Sequence, residues 1–465
     1  MIMNMDPNNG NTYCEITPAI MALKEQWEKE SYIDPKLYKE YNVKRGLRDE
    51  DGRGVLTGLT RVAEIQSYDV EEGQPTGEHI IPRDGILYYR GIDTREIVRG
   101  SAGRGRFAFE EAAYLLLFGE LPTETQLQSF CEQLASYRTL PKNFFRDVIL
   151  KNPPRDLMNT MERAVLTLFC YDDKPNDISL VNVLRQCLQL ISNMPVLAIY
   201  AYQAYRYRCG ESLFIHMPLP ELSTAENFLR LLREDGSYTE LEARTLDVAL
   251  VLHADHGGGN NSTFTNHVVT SSGTDTYSAI AASMCSLKGP RHGGANSKVM
   301  EMMADIKTHV QNWEDEAALQ TYLEGILDGE QFDKSGLIYG LGHAVYTKSD
   351  PRCEVFRDYV IKLSAEKGRE RELELYQKVE RIGKKLLMER RHKEALSTNI
   401  DFYSGFVYEM LGLPMELYTP LFAVARIAGW SAHRMEELSV GGKLIRPRYE
   451  CVEKHRDYIP MEKRG

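Results

Sequence analysis

The sequence predicts a mostly α-helical protein, with a large helical domain, a smaller helical domain inserted into it, and one small β-hairpin near the N-terminus. From about Glu110 onward the apolar residues follow helical spacing, and Gly and Pro separate the segments. Strands do not alternate with helices along the chain, as they would in a parallel α/β sheet. The stretch between about 294 and 411 is more polar and more highly charged, which predicts the inserted domain.

The first predicted elements are short. Residues 1–60 are polar and charge-rich, which predicts an arm of short helices and loops. Residues 60–69 and 86–90 contain β-branched and aromatic side chains, and Arg83-Asp84-Gly85 has the composition of a turn before the second segment. These two segments predict the hairpin.

The helices that follow are predicted from apolar runs and from signals at their ends. The run 112–117 is too apolar for a surface helix and ends at Gly119, and Thr123 with Gln126 has capping-box spacing. Residues 187–205 carry no charge and are nearly long enough to span a bilayer, but the Gln, Ser, Asn and Pro residues among them favour a buried helix. Further helices are predicted at 241–253, 275–287 and 402–411.

We expect two domains from these changes in composition. The large domain comprises residues 1–293, which include the N-terminal arm, together with residues 412–465. The small domain comprises residues 294–411, and Gly412-Leu413-Pro414 marks the return to the large one.

Composition and charge exclude several classes of protein. Hydrophobic residues make up 43% and charged residues 26% of the chain, so a disordered protein is excluded. The net charge of −11 argues against a nucleic-acid-binding surface, so an anionic ligand requires a local cluster of arginines. The eight cysteines are scattered without CxxC spacing, and the N-terminus resembles neither a secretory signal nor a transit peptide. We therefore expect a cytoplasmic protein that binds neither nucleic acid nor membrane.

Two histidines on one predicted helix are the first candidate site residues. His253 lies on an apolar helix, where a hydrogen-bonded core histidine is the simplest interpretation. His256 follows at the end of that helix, before three glycines. Their spacing serves some metal sites, but no HExxH and no third ligand accompany it, so no metal ion is expected.

His292 lies between Gly289-Pro290, which ends one helix, and Gly293-Gly294, which allows another to begin. A helix N-terminus favours the neutral form of histidine, and a neutral imidazole can donate a hydrogen bond to a developing oxyanion. The alternative is a capping or loop histidine. His343 also lies in a glycine-rich turn.

The remaining candidates are one carboxylate and several arginines. Asp401 precedes an apolar helical stretch, where it is either a helix N-cap or a general base. Arg426 is a lone cation in the apolar run 421–429, so it needs a carboxylate or an anionic ligand as partner. Arg352 follows an Asp-Pro pair, and Arg446 lies near the C-terminus, where a surface role is the simpler interpretation. Together these residue types indicate a site for a small polycarboxylate, in which a carbonyl is polarised and a proton is removed.

Six sequence blocks in this order resemble the citrate synthase family: HADHGGGN (253–260), GPRHGGAN (289–296), GLGHAVYTKSDPR (340–352), NIDFYSG (399–405), LFAVARIAGW (421–430) and RPR (446–448). Weaker likeness at 85–93 and 109–122 extends the resemblance over most of the chain after about residue 46. It implies a nearly all-α homodimer, a small domain that closes over the substrate, and a site that takes one residue from the partner subunit. It implies acetyl-CoA as substrate and no cofactor.

The resemblance also implies a reaction, namely a Claisen-type condensation of an acyl-CoA with oxaloacetate followed by hydrolysis of the thioester. Asp401 would take the α-proton of the thioester, His292 would donate to the forming enol oxygen, and His343 would polarise and protonate the oxaloacetate carbonyl. The implied oxaloacetate ligands are His256, Arg352, Arg426 and, from the partner subunit, Arg446; the implied contact with coenzyme A is Lys348.

Departures from the family pattern and alternative functions accompany this interpretation. Gly257 stands where many members have an acidic residue, and Thr347 occupies an often basic position, so Lys348 is expected to meet the coenzyme A phosphates. The closest alternative is 2-methylcitrate synthase acting on propionyl-CoA, because one methylene changes discrimination by only about 1–3 kcal/mol. Alternatives of other classes are a metal-dependent hydrolase using His253 and His256, and a non-catalytic helical scaffold.

Overall fold

The structure, a computed structural model, describes residues 14–49, 53–71, 79–103, 105–342, 345–392 and 394–464. The chain forms two compact units, Met1–Leu59 and Thr60–Gly465.

The described part of the first unit contains two α-helices, α1 (Pro18–Glu30) and α2 (Pro35–Glu40), and one 3₁₀ helix at Arg45–Leu47. Each α-helix begins with proline, preceded by a side chain that caps the helix: Thr17 accepts from the backbone N–H of Ile20, and Asp34 from that of Lys36. This confirms the predicted arm of short helices for the described residues.

The second unit begins with a three-stranded antiparallel sheet in the order β1 (Ala63–Glu71), β2 (His79–Tyr89), β3 (Ile92–Asp93). The predicted hairpin is confirmed, with the short third strand added to it. The predicted turn at Arg83-Asp84-Gly85 is wrong, since these residues lie within β2.

The residues of the predicted turn form an irregularity in β2 instead. Gln66 pairs with Ile86, but Tyr68 pairs with Pro82, so β2 has more residues than β1 between these two pairs. Asp and Gly favour departure from a regular strand, and here they produce a bulge rather than a chain reversal.

The rest of the described second unit is mainly helical, which confirms the predicted fold class. Its helices are α3 (Thr94–Ala102), α4 (Phe109–Phe118), α5 (Glu124–Tyr137), α6 (Leu157–Leu168), α7 (Leu180–Arg208), α8 (Thr224–Leu232), α9 (Glu240–His253), α10 (Asn261–Thr270), α11 (Thr276–Leu287), α12 (Ala295–His309), α13 (Glu316–Leu327), α14 (Pro351–Glu366), α15 (Glu370–Arg391), α16 (Asp401–Met410) and α17 (Tyr418–Val440).

Predicted end signals are found at the ends of the helices. α4 ends at Gly119, whose φ of 90° is the left-handed conformation that glycine adopts most readily. Thr123 and Gln126 form the predicted capping box before α5. The ends of α9, α11 and α16 lie within one residue of the predicted bounds.

Two long helices, α7 and α17, form the centre of the core. α17 packs against α4, α7, α9, α10 and α11. The uncharged run 187–205 lies within α7 and is mostly buried, which confirms the buried helix. In the described ranges, none of the helices has both the length and the hydropathy needed to cross a bilayer.

The segment proposed as a small domain contains α12 to α16. In it α12 packs on α16, and α14 packs on α15 and α16. α14 also packs on α9 and β2, and therefore links this segment to the preceding part of the chain. The division into domains 1–293 plus 412–465 and 294–411 stays a prediction.

Candidate active site

Arg426 is a buried cation in the middle of α17, with no exposed surface. Its Nε donates to the backbone carbonyl of His253 at 2.7 Å, and its guanidinium lies 4.8 Å from the centre of the Phe422 ring. Its Nη1 is buried and has no hydrogen-bond partner among the described residues. Burial lowers the pKa of Arg426 to about 10, and the nearby Asp255 opposes this shift. The Arg426 guanidinium therefore remains a cation at neutral pH, and its Nη1 is available to bind an anion.

Arg352 is held by Asp350 at the start of α14. Asp350 is the N-cap, and its carboxylate accepts from the Arg352 backbone N–H at 3.1 Å, from Nε at 3.0 Å and from Nη2 at 2.8 Å. Both side chains are buried. Asp350 Oδ2 also accepts from the backbone N–H of Ile400 at 3.2 Å. This carboxylate therefore joins the first turn of α14 to the first turn of α16.

Asp401 is the first residue of α16. The N-cap position belongs to Ile400, which has no side-chain cap, so the alternative of Asp401 as a helix N-cap is wrong. Loss of solvation raises the pKa of Asp401 to about 6. The guanidinium groups of Arg352 and Arg426 oppose this rise, whereas the negative charge of Asp350 increases it. The carboxyl therefore lies within electrostatic reach of both arginines.

His292 lies in the turn before α12, where its backbone N–H donates to the Gly289 carbonyl at 2.8 Å. Burial lowers the pKa of His292 to about 4, and the positive charge of Arg426 lowers it further. The direction is the one predicted from the sequence, but the main cause is burial. Its Nε2 is buried and lacks a hydrogen-bond partner in the described part of the chain. A neutral imidazole with an uncommitted ring nitrogen results.

The starts of α12 and α16 lie side by side. Asn296 Nδ2 donates to Ser404 Oγ at 2.5 Å. A Cβ on Gly405 would lie 2.6 Å from Asn296 Oδ1 and from Met300 Cγ, so only glycine allows this approach. The packing brings the turn that carries His292 towards the segment that carries Asp401.

His256 is buried after the end of α9, with its ring 5.7 Å from the ring of Tyr346. The guanidinium of Arg352 lies 5.7 Å from the centre of the Tyr346 ring, so Tyr346 contacts two of the predicted oxaloacetate ligands, His256 and Arg352. His253 is buried with its Nδ1 2.9 Å from the Ala249 carbonyl, which confirms the core interpretation. Burial lowers the pKa of His253 to about 3, and Arg352 and Arg426 add to this effect.

The structure places two predicted residues, Lys348 and Arg446, on the surface, and it leaves a third untested. His343 lies outside the described residues. Lys348 is exposed before α14, and Arg446 is exposed in the irregular segment after α17. On one side of His343, Gly342 donates to the Ser397 carbonyl at 2.7 Å, which joins this loop to the segment leading to Asp401.

Metal-ligating side chains are not clustered in the described ranges, where no group of three or more His, Cys, Asp or Glu is placed to hold an ion.

Sequence reasoning missed two side chains that shape this site. One is Asp350, which could have been identified because an Asp before Pro at a helix start is an N-cap signal. Tyr346 lies in a block singled out above, but no pattern in the sequence indicates that its ring contacts His256.

The family model described as "Citrate synthase, C-terminal domain" matches residues 53–448 of this chain. The chain belongs to the citrate synthase family. It is therefore related to transferases whose substrates are oxaloacetate and an acyl-CoA.

Individual relatives agree with this assignment. The chain is 34% identical to the citrate synthase of Synechocystis sp., over 83% of this chain and 90% of that protein. It is 31% identical to the 2-methylcitrate synthase of Shewanella oneidensis, over 82% of this chain and 93% of that protein. The structure also resembles the citrate synthase of Thermoplasma acidophilum in its ternary complex with carboxymethyl coenzyme A and oxaloacetate, with a TM-score of 0.71 and 27% identity, covering 91% of this chain and 99% of that one.

Proposed function

We propose that this member of the citrate synthase family condenses acetyl-CoA with oxaloacetate and hydrolyses the citryl-CoA thioester, giving citrate and CoA. One observation carries the proposal: the Asp350 carboxylate binds both the buried Arg352 and the backbone N–H of Ile400, which brings the start of α16, where Asp401 lies, to the start of α14. The charges of Arg352 and Arg426 both act on the Asp401 carboxyl and oppose the rise of its pKa. Two cations suit a dicarboxylate, and one carboxylate beside them suits removal of a proton.

Asp401 is the proposed base that takes the α-proton of the thioester. Its pKa of about 6 keeps it mainly ionised at neutral pH and makes it a stronger base than an ordinary aspartate. A thioester α-proton is nevertheless a far weaker acid, and each unit of pKa mismatch costs about 1.4 kcal/mol. The transfer therefore requires a donor that meets the oxygen charge as it forms.

His292 is the proposed donor to the enol oxygen. Its lowered pKa keeps the imidazole neutral, so it stabilises the enol by a hydrogen bond without an added positive charge. The lack of a partner at Nε2 in the described residues supports this role, because that nitrogen is available to a ligand.

Oxaloacetate would be held by Arg352, Arg426 and His256, with Arg446 supplied by the partner subunit of a homodimer. Guanidinium groups bind carboxylates bidentately, and oxaloacetate carries two. His343, by resemblance to the family, would polarise the oxaloacetate carbonyl and protonate it. Lys348 would contact coenzyme A.

Closure of the 294–411 domain would exclude water until condensation is complete. The proposal includes no metal ion, no cofactor and no nucleic-acid or membrane partner. It places the protein in the cytoplasm.

The acyl-CoA preference is the finer part of the proposal, and 2-methylcitrate synthase is the second candidate. The identity of 31% to a 2-methylcitrate synthase is close to the 34% to a citrate synthase, which keeps propionyl-CoA as a real alternative. The test is steady-state thiol release with oxaloacetate and each acyl-CoA in turn, and with oxaloacetate omitted as control. We expect a higher kcat/KM with acetyl-CoA; a clear preference for propionyl-CoA would select the second candidate.

The hydrolase alternative is tested in the same assay by adding a chelator. We expect thiol release to depend on oxaloacetate and to be insensitive to the chelator. Loss of activity with the chelator, in the absence of oxaloacetate dependence, would favour a metal-dependent hydrolase.

A further inference from the structure

Three polar side chains, Asp255, His433 and Glu436, form a cluster that no step proposed above uses. Asp255 and His433 are both fully buried. His433 Nε2 lies 3.2 Å from Asp255 Oδ2, and His433 Nδ1 lies 4.0 Å from Glu436 Oε2. The other oxygen of Glu436 accepts from the backbone N–H of Arg61 at 2.7 Å. The imidazole therefore lies between two carboxylates, and its 3.2 Å approach to Asp255 is an ion-pair contact, since neither atom makes a hydrogen bond with the described residues.

Asp255 fixes the backbone on both sides of the proposed ligand His256. Its Oδ1 accepts from the backbone N–H of Gly257 at 2.7 Å. Its own backbone N–H donates to the hydroxyl of Tyr89 at 3.1 Å. The position of His256 therefore depends on where the Asp255 carboxylate is held.

The helix α17 carries both Arg426 and His433 towards this carboxylate. The two residues are seven positions apart, which is about two helical turns, so they share one face. Gly429 lies between them, and a Cβ there would lie 2.2 Å from Asp255 Oδ2 and 2.5 Å from the Ala254 carbonyl. Because Gly429 has no side chain, Asp255 packs directly against the helix between the two residues.

Asp255 is also a negative charge that acts on Arg426, since it opposes the effect of burial on that guanidinium. A buried carboxylate needs a partner. If it lost the contact with His433, it would turn towards the nearest cation. A closer pair between Asp255 and Arg426 would compete with a substrate carboxylate for the same guanidinium.

We propose that His433 is a positioning residue for oxaloacetate: it holds the Asp255 carboxylate in place, which keeps Arg426 available to the substrate and fixes the backbone of His256. This inference rests on the proposed function, because it assigns His433 to the binding of that function's substrate.

The test measures KM separately for oxaloacetate and for acetyl-CoA in the full-length enzyme. His433→Leu leaves a buried charge without its partner, so we expect its KM for oxaloacetate to rise roughly 10-fold while its KM for acetyl-CoA stays within about 2-fold. His433→Gln, whose amide nitrogen reaches the position of Nε2, should recover most of the oxaloacetate affinity. A similar rise in both KM values would overturn the proposal, since a general loss of packing does not distinguish the substrates.

His267→Leu is the matched control. His267 belongs to α10, its ring lies 5.1 Å from that of His433, and its Nδ1 lies 2.8 Å from Glu437 rather than Asp255. We expect this variant to keep both KM values. A rise in the oxaloacetate KM equal to that of His433→Leu would mean that any imidazole lost from this region has the same effect, and would overturn the assignment.

A second change separates positioning from packing. Adding Asp255→Asn to His433→Leu removes the carboxylate that would compete for Arg426, so the double variant should have a lower KM for oxaloacetate than His433→Leu alone. A further rise would contradict the proposal, because two independent packing defects add.

If His433→Leu does not fold, the comparison is made between His433→Gln and His433→Asn. The asparagine amide reaches the position of Nδ1 and not that of Nε2, so His433→Asn should have a higher KM for oxaloacetate than His433→Gln. Equal KM values in the two variants would contradict the proposal. Wild-type enzyme without oxaloacetate-dependent thiol release would instead reject the proposed function itself.

Discussion

At Asp401, burial and charge act in opposite directions on one carboxyl group. Loss of solvation favours the protonated form, whereas Arg352 and Arg426 favour the carboxylate. The balance gives a pKa near 6, so the base is both mainly ionised at neutral pH and stronger than an exposed aspartate. The same arginines are the proposed ligands of oxaloacetate, so substrate binding and base strength are coupled in this site.

The pH dependence of the rate follows from that pKa. Condensation needs Asp401 ionised, so kcat/KM should fall about tenfold per pH unit below pH 6. His292, with its pKa near 4, stays neutral above pH 5, so its titration does not change the slope of the kcat/KM profile there. The measurement is kcat/KM for acetyl-CoA between pH 5 and 8 at saturating oxaloacetate. A rate that rises as the pH falls below 6 would contradict the assignment of the base.

Stability should depend on Asp401 in the opposite sense to activity. Because its pKa is raised in the folded protein, the carboxylate form is disfavoured by folding. The contribution of Asp401 to stability is present below the ordinary aspartate pKa, and it is lost as the pH rises through 6. Asp401→Asn should therefore have a Tm at pH 7 no lower than that of the wild type, measured by thermal unfolding. A lower Tm would mean that the carboxylate stabilises the fold.

The sequence identifies the chemical groups of the site better than their surroundings. Each predicted residue breaks a local pattern: Asp401 and Arg426 are charges in or beside apolar helical stretches, and His292 lies among glycines. The contacts of Asp255 with His433 and of His256 with Tyr346 are not predictable, because each joins residues far apart in the chain. Local spacing contains no information about such pairs.

Among the elements, the bulge of β2 is closely fitted to the loop before α14. The backbone N–H of Gly85 donates to Ser349 Oγ at 3.3 Å, and the Ser349 hydroxyl donates to Asp84 Oδ1 at 3.2 Å. A Cβ on Gly85 would lie 2.3 Å from the Ser349 carbonyl and 2.5 Å from Tyr346 Cδ1. The bulge therefore supports the loop that leads to Arg352.

Gly85→Ala should displace that loop. The added methyl group meets the Ser349 carbonyl oxygen, a backbone atom that cannot turn away, so we expect a loss of about 1–3 kcal/mol in the free energy of unfolding and a higher KM for oxaloacetate. Denaturant unfolding and steady-state kinetics measure the two effects.

Gly100→Ala in α3 is the control for Gly85→Ala. A Cβ there meets no atom within 4 Å, and alanine favours helix, so this variant should be as stable as the wild type or more stable by about 0.5–1 kcal/mol. Wild-type stability and kinetics in Gly85→Ala would show that the loop tolerates the methyl group and that the bulge does not position it.

Helices were predicted more accurately than the sheet. The ends of α4 and α5 follow local rules, with glycine after the first and a capping box before the second. The third strand and the bulge in β2 depend instead on pairing across strands and on the loop at Ser349. Arg83-Asp84-Gly85 has the composition of a turn in either case, so the sequence alone does not distinguish a bulge from a reversal.

At the scale of the whole molecule, the proposal requires a homodimer, in which each site takes one residue from the partner subunit. Arg446 lies in an exposed segment after α17, and in the proposal it reaches the site of the partner subunit. Mixing inactive Arg446→Ala with inactive Asp401→Ala subunits should restore part of the activity, because one site of the heterodimer then has both residues intact. Absence of rescue in verified heterodimers would remove the cross-subunit assignment.

The most direct test of the central claim is the rate of thiol release by Asp401→Asn with acetyl-CoA and oxaloacetate. If Asp401 is the base within the cluster formed with His292, Arg352 and Arg426, turnover should fall by at least ~10³-fold while the protein still folds and binds oxaloacetate. Turnover close to that of the wild type would contradict the account.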